Sequence, residues 1–379
     1  MTDEDRSRDD LIAEAAALRR QLARLEGRPM ERTSAPEIFV AIAAYCDADL
    51  PRTLDDCIEN AAHPDQLRFG ICWQHDSRHP VDLTRHKNDR RFQIAEYPYH
   101  DSQGGPWARS IAQRFWNGEP YTLQVDSHMK FEPGWDARLV DMIDRLPAER
   151  PLITVNCPLF WYDEWGALHR ETERGVPTTK LGGWSEAWGW TPWNEWGMTN
   201  TQRPGRTRFI SGNFVFTLGR WNTDVPQDPG HYYWGEEFNL TVRSFTHGYD
   251  LFLPDEIVVW HRNFEQPPRR HWEHGEDVVR ERNRVAFERL RLLIYSDDDD
   301  EQRRLAPFGL GSVRTKREYE IFAGIDFTRK IAHPDVYSGR NPDPVTIRSE
   351  RDWDRCLSIV EHRRMMAAVA AVKDMRTSA

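Results

Sequence analysis

The 379-residue chain has few cysteines, no basic excess and no long apolar run. Its five cysteines, at 46, 57, 72, 157 and 356, are odd in number and form no C-x-x-C pair. That pattern sets aside a disulfide framework and a zinc knuckle and reads as reduced thiols. A formal charge of -10 leaves no surplus of cations for phosphates, which excludes a general nucleic-acid binder but not a local basic pocket. No window approaches the roughly 20 apolar residues that span a bilayer. The opening MTDEDRSRDD is charged and lacks the apolar stretch of a signal peptide, so a cytoplasmic location is expected. H-E-x-x-H, a dense His/Asp cluster and an internal repeat are all missing.

What is there begins with a core. Hydrophobic residues make up 39% of the chain, too many for a disordered protein. There are 16 tryptophans, and seven of them fall between Trp161 and Trp196. That segment is also rich in Gly, Pro and Thr, which predicts loops. Aromatic faces on loops suit sugars and other flat apolar faces; a small aromatic core is the plainer reading. Near the start, Leu11, Ala15, Leu18, Leu22 and Leu25 are spaced as an a/d seam. Residues 1–35 therefore read as a short coiled-coil helix and linker, too short to stand alone and a candidate seam for a homo-oligomer.

From Glu37 the pattern is α/β. Strands are predicted at 38–45, 67–74, 92–98, 121–128 and 151–156, with helices at 51–63, 105–116 and 135–146 between them. Such alternation predicts a mostly parallel, Rossmann-like sheet with helices on both faces. TRFISGNFVFTLG (207–219) reads as strand or hairpin, EEFNLTVRSFTHG (236–248) as helix, and YDLFLPDEIVVWHR (249–262) as strand. Residues 278–296 and 351–375 read as helices, and SDDDDE (296–301) as solvated surface.

In an open α/β sheet, ligands bind beyond the carboxyl ends of the strands. Asp126 and His128 stand at one such end, in LQVDSHMKF. A carboxylate and an imidazole two residues apart can reach one cation, and the mix suits Mn2+ or another borderline divalent ion better than Ca2+. His261 ends the apolar run EIVVWH and is the candidate third ligand. Arg109, early in a helix opened by Gly104-Gly105-Pro106, is placed for an anion or a uracil. Glu236 and Glu237 open another helix, where acidic residues are favoured by the helix dipole alone.

The ordered stretches IFVAIAAYCDADLP, GGPWARS, GEPYTLQVDSHMKFEPGWD, ISGNFVFTLG, WGEEFNLTVRSFTHGYDLFLP and VVWHRNF carry a resemblance. The chain resembles the GlcNAc-transferase-type glycosyltransferases, which include cytoplasmic enzymes that modify hydroxyproline. It is more distantly similar to the polypeptide N-acetylgalactosaminyltransferases. The resemblance covers residues 37–265. It implies a glycosyltransferase-A catalytic domain at 36–265, with a Trp-rich insertion at 157–206 and a mainly helical extension at 266–379. It also implies a UDP-sugar donor, Mn2+ or Mg2+, and retention at the anomeric carbon. On this sequence it makes Asp126, Ser127 and His128 the D-x-H stretch and His261 the third ligand, with Asp126 also facing the ribose. Ala43, Ala44 and Tyr45 would line the uridine, Arg109 would contact the nucleotide, and Gly212 and Asn213 would border the sugar. Glu237, with Glu236 beside it, would accept hydrogen bonds from sugar hydroxyls, joining Asp126 in the catalytic set. The distant relatives have Gly-Glu-Asn where this chain reads Glu236-Glu237-Phe238, which leaves GlcNAc, GalNAc and glucose open.

Two other readings stand beside this one. A metal-dependent hydrolase would use the same three ligands with Glu237 as base and would need no acceptor. A carbohydrate-binding or scaffold protein would present the tryptophans as its surface and would have no use for uridine. The acceptor stays open among a protein side chain, a glycan and a small molecule.

Overall fold

The computed structural model describes residues 35–171, 176–199, 205–263, 273, 275–342 and 345–377. The expected coiled coil lies outside these residues. The first half alternates strand and helix. β1 (Ile38–Tyr45) leads to α1 (Leu50–Glu59), then β2 (Leu67–His75), β3 (Phe92–Pro98), α2 (Gly105–Gln113) and β4 (Tyr121–Val125). β5 (Met129–Phe131), α3 (Trp135–Asp144) and β6 (Pro151–Thr154) follow. The Trp-rich segment forms β7 (Leu159–Tyr162), β8 (Leu168–Arg170), β9 (Val176–Ser185) and β10 (Thr191–Thr199). β11 (Phe214–Leu218), α4 (Glu236–Thr246), β12 (Asp250–Phe252), β13 (Val259–Arg262) and α5 (Glu276–Tyr295) complete the part that shapes the site.

Seven strands form the main sheet in the order β12-β6-β11-β4-β1-β2-β3. β4, β1, β2 and β3 run parallel, as do β6 and β12. β11 is antiparallel to both its neighbours. The expected α/β class with a mostly parallel sheet is what the chain adopts. β1 is central, and its two faces feed two cores. Val40, Ile42 and Ala44 join Leu54 of α1 and Trp135 and Leu139 of α3. Phe39 and Ala41 pack with Ala108, Ile111 and Ala112 of α2. Gly70 makes that second contact close: a Cβ there would lie 2.5 Å from Phe39 and 2.6 Å from the Ala112 carbonyl.

Three expectations need correction. The strand predicted at 121–128 ends at Val125, because the chain leaves the main sheet and enters a second one, β5-β13-β7-β8. The strand predicted at 249–262 is likewise two strands, β12 on the edge of the main sheet and β13 in the second. The Trp-rich segment is built of strands rather than loops. β9 and β10 pair antiparallel over Val176–Ser185 and Thr191–Thr199, with a register shift between Trp193 and Asn194. Threonine, valine and tryptophan suit a half-buried pleated surface, and cross-strand pairing overrides the loop-like Gly and Pro content. Gly182 lies under the Trp193 ring, where a Cβ would sit 2.4 Å from it.

The C-terminal part shares a core with this ribbon. Leu181 and Trp184 of β9 pack with Phe238, Val242 and Phe245 of α4 and with Leu290, Leu293 and Ile294 of α5. Among the described residues, no helix is long and apolar enough to cross a membrane.

Candidate active site

A cavity of about 680 Å³ opens at the carboxyl ends of β1 and β4, between the two sheets and the ribbon. It is lined by Ala43 and Tyr45 of β1, by the β4–β5 link, by the start of α2 and by residues 211–213. Residues 233–238, the end of β13 and residues 192–195 of β10 close it.

Asp126, Ser127 and His128 form the link from one sheet to the other. β13 pairs with β5 so that His261 lies opposite Met129, one residue beyond His128. That register brings His261 Nε2 to 2.9 Å from His128 Nε2 and to 3.5 Å from Asp126 Oδ2. One ligand atom from each of the three residues lies within 4.8 Å of the others. Two imidazole nitrogens this close need a proton or a cation between them, and two imidazoles with one carboxylate fit a borderline divalent ion.

Asp47, which the sequence reading did not single out, orders this group. It is 3% exposed. Its Oδ2 accepts from His128 Nδ1 at 2.7 Å and from the Ser127 hydroxyl. A carboxylate only accepts, so Nδ1 carries the proton and the Nε2 lone pair faces the triad, the usual arrangement behind a metal-bound histidine. Asp49, two residues on, pairs with Arg262 beside His261. The turn Asp47-Ala48-Asp49 thus grips both histidine-bearing segments. α1 adds to the grip: Met129 N donates to Thr53 Oγ1 at 2.9 Å, and Phe131 N donates to Asp56 Oδ2 at 2.6 Å. The sequence carried one signal for this, the D-x-D that follows β1.

Arg109 lies at the back of the cavity. Gly104, at φ +107°, starts α2 and lets the helix begin against the Tyr232 carbonyl. Arg109 donates to Asp126 Oδ1 at 2.8 Å and to Glu236. Burial works to raise the Asp126 carboxyl, but the His261 contact and the Arg109 guanidinium outweigh it and hold the group well below the usual carboxylate range. Burial raises Glu236 despite Arg109. For His128, burial favours the neutral ring, but Asp47 and Asp126 outweigh it and raise the pKa. Arg109 is therefore an internal clamp between Asp126 and Glu236 that also lines the cavity.

Glu237 links the turn at residues 211–213 to the ribbon. Its Oε1 accepts from Gly212 N at 2.9 Å and its Oε2 from Asn194 Nδ2 at 3.1 Å. Burial raises its pKa, with those two hydrogen bonds opposing. The Gly212 carbonyl accepts from Gln124 Nε2 at 2.9 Å. A Cβ on Gly212 would lie 3.0 Å from Arg109 Nη1, so the turn passes close over the clamp. Asn213 Nδ2 donates to Asn156 Oδ1 at 3.0 Å, which holds its side chain across the cavity wall. Of the β1 residues, Ala43 and Tyr45 line the cavity. Ala44 does not: strand alternation turns it to the other face, where it is fully buried in the main core.

On the ribbon side, Trp188 stacks on Phe287 of α5 at 5.2 Å and 15° and packs against Trp234 at 5.0 Å. These rings form an aromatic wall, with Trp234 46% exposed.

A family description, Glycosyltransferase (GlcNAc), matches residues 37–90 and 82–329. The chain belongs to this glycosyltransferase family. The match continues past the motifs through α5, so the helix carrying Phe287 is part of the family unit. Comparison with curated proteins by sequence gives no match. Among solved structures, the chain is similar to GalNAc-T7 with UDP, GalNAc and Mn2+, at a TM-score of 0.48 and 15% identity, over 84% of this chain and 66% of that one. It is similar to residues 1–349 of S. aureus TarS in complex with UDP-GlcNAc, at 0.41 and 13% identity, over 72% and 71%. It is also similar to the mannosyltransferase PcManGT from Pyrobaculum calidifontis in complex with GDP-Man and Mn2+, at 0.37 and 14% identity, over 68% and 69%.

Proposed function

We propose that this glycosyltransferase moves GlcNAc from UDP-GlcNAc to a hydroxyl acceptor, with retention at the anomeric carbon and with Mn2+ or Mg2+ held by Asp126, His128 and His261. The observation that carries the reading is the convergence of those three side chains, two from the link between the sheets and one from β13, at the cavity. A divalent ion bound there supplies a Lewis acid for the charge that develops on a leaving diphosphate. The chain's own residues do the rest. Asp47 keeps the His128 Nε2 lone pair aimed at the triad. Arg109 keeps Asp126 ionised and fixed, and leaves Asp126 Oδ2 facing His261. Ala43 and Tyr45 offer the uridine a wall at the end of β1. Gly212, Asn213 and Glu237 border the sugar. A retaining reaction requires no strong base among these groups if the transfer is front-face and the leaving phosphate takes the acceptor proton.

In this reading the Trp-rich ribbon supplies the acceptor side, and the catalytic unit reaches past 36–265 into α5, which buttresses the ribbon and adds Phe287 to the cavity wall. The site of action is the cytoplasm. Calorimetry of UDP and UDP-sugars, with Mn2+ and with chelator, tests the reading on wild type and on His128→Ala. Binding that needs both the ion and His128 is expected. UDP binding that ignores chelator and His128 would sink the metal assignment. The anomeric configuration of the product, read by NMR, tests retention.

A further inference from the structure

Trp234 ends a stack of three rings. Phe287, buried on α5, backs Trp188, and Trp188 covers one side of Trp234. Trp234 nonetheless stays 46% exposed, and it lines the cavity. The chain around it is fixed. The Trp234 carbonyl accepts from the buried His231 ring. Gly235, at φ +83°, passes so close to Leu290 of α5 that a Cβ would lie 2.6 Å from it. Tyr233, also exposed, meets the Trp234 ring edge-on at 5.1 Å and 77°. Glu236 and Glu237, the Arg109 partner and the proposed sugar border, follow directly. An open aromatic face held this firmly is pre-organised for a flat apolar ligand surface. The cavity is also poor in cations. Among the described residues, five carboxylates line it against two guanidiniums, Arg109 and Arg262. Both guanidiniums are already paired, Arg109 with Asp126 and Glu236, and Arg262 with Asp49. A bound divalent ion offsets the diphosphate of a donor, and nothing in this lining offsets a second anion. Carboxylates only accept hydrogen bonds, so what enters beside the donor must bring neutral donors.

We propose that the acceptor is an uncharged pyranoside, with its C–H face stacked on the open side of Trp234 and its hydroxyls donating to cavity carboxylates. The inference rests on the transferase reading above. The C–H groups of a pyranose face are weakly positive and meet the negative face of an indole. Glu195 of β10, half-exposed in the cavity lining and 3.3 Å from Lys180, is one acceptor for the ring hydroxyls. Another hydroxyl is the nucleophile. Its oxygen bonds to the anomeric carbon as the bond from that carbon to the diphosphate oxygen breaks, and its proton leaves with UDP. The product is a new glycosidic bond between two sugars. A proline-rich peptide also presents flat rings. Its carbonyls only accept and its prolines lack an N–H, so it offers the carboxylates little.

The test is saturation-transfer NMR titration of methyl β-glucoside, methyl β-galactoside and methyl α-mannoside into protein saturated with UDP and Mn2+. Wild type, Trp234→Ala and Trp234→Phe are compared. At least one glycoside is expected to bind wild type with saturation concentrated on the protons of one ring face. Trp234→Ala should weaken that glycoside about tenfold, and Trp234→Phe, which keeps a flat face, should fall between. The Phe variant keeps the test legible where Ala fails to fold. Given UDP-GlcNAc, wild type should add one sugar to the glycoside that binds, read by mass spectrometry. Wild type that binds UDP but none of the three glycosides, binding that Trp234→Ala leaves unchanged, or binding without transfer would overturn the proposal while the transferase reading stands. So would glucose 6-phosphate or a hydroxyproline peptide binding more tightly than any glycoside. Failure of wild type to bind UDP at all would sink the transferase reading, and this inference with it.

Discussion

Replacing Asp47 by Ala should weaken divalent-ion binding without touching a ligand. The carboxylate is buried and serves His128 Nδ1, the Ser127 hydroxyl and the Asp49 N–H at once. Its loss leaves the His128 Nδ1–H without its acceptor, at a cost of about 1–3 kcal/mol. It also frees the ring to take the other tautomer, in which Nε2 carries the proton and cannot ligate. Loss of such a supporting partner typically lowers metal affinity about 10- to 100-fold, or about 1.4–2.7 kcal/mol. The assay is titration of Mn2+ into protein saturated with UDP, with the absorption spectrum of bound Co2+ as a second probe of ligand geometry. Asp47→Asn keeps an acceptor oxygen and should fall between wild type and Ala. Ser127→Ala removes only the hydroxyl contact and should stay near wild type. An Asp47→Ala protein that folds, binds Mn2+ within about twofold of wild type and gives an unchanged Co2+ spectrum would refute the reasoning, since His128 would then be oriented without Asp47.

Asp126→Asn should abolish ion-dependent UDP binding, because it removes a ligand and the partner of Arg109 together; equilibrium dialysis with and without chelator reads this, and retained ion-dependent binding would contradict it. Gly104→Ala should destabilise the fold by about 2–3 kcal/mol, since its φ is +107° and a Cβ would lie 2.3 Å from the Tyr232 carbonyl; urea unfolding with an unchanged midpoint would count against that. His231 gives a pH dependence. It is buried, donates from Nε2 to the Trp234 carbonyl at 2.8 Å, and burial lowers its pKa from 6.5 to about 4. The folded state thus favours the neutral ring, so this contribution is full above pH 6.5 and is lost as pH falls toward 4, by about 2–3 kcal/mol. Wild type should lose that much more stability than His231→Gln between pH 7.5 and 4.5 in denaturant melts; equal losses would show that His231 does not titrate with unfolding.

The parts of the fold that were legible are those where one strand or helix declares itself. IFVAIAAY is apolar on both faces because both faces of β1 are covered, one by α1 and α3 and the other by α2. The helices at 105–113 and 236–246 start where the sequence suggested, each after a glycine with positive φ, Gly104 and Gly235. What the sequence did not show is which sheet a strand joins. YTLQVDSHMKF reads as one strand with a polar interruption, and nothing in it says that Tyr121–Val125 pairs with β1 while Met129–Phe131 pairs with β13. The ribbon is the opposite case. Its glycines and prolines read as loop, and only the pairing of β9 with β10 makes it strand. The turn of Ala44 away from the cavity was within reach, since alternation along β1 already separates it from Ala43 and Tyr45.

The candidate site was legible as a set of residues and not as a mechanism of support. Asp126, His128 and His261 stand out because their chemistry is unusual at strand ends. Asp47 does not, because an aspartate in a turn has an ordinary solvated role, and its bond to His128 spans 81 positions. Asn194 is harder still: it meets Glu237 across 43 positions, from a segment whose composition argues for surface. Both contacts share a physical logic: an acidic group fixes the orientation of one two-ended polar side chain, Asp47 that of the His128 ring and Glu237 that of the Asn194 amide. Orientation of this kind has no signature in one dimension, because it depends on which atom of a two-ended side chain is already taken. It follows that substitutions at Asp47 and Glu237 should separate by ligand. Loss of Asp47 should weaken UDP and UDP-GlcNAc alike, since both are held through the same ion. Glu237→Gln, at the proposed sugar border, should leave UDP nearly unchanged and weaken UDP-GlcNAc. If calorimetry shows both variants acting equally on UDP, the division of the cavity into an ion side and a sugar side is wrong.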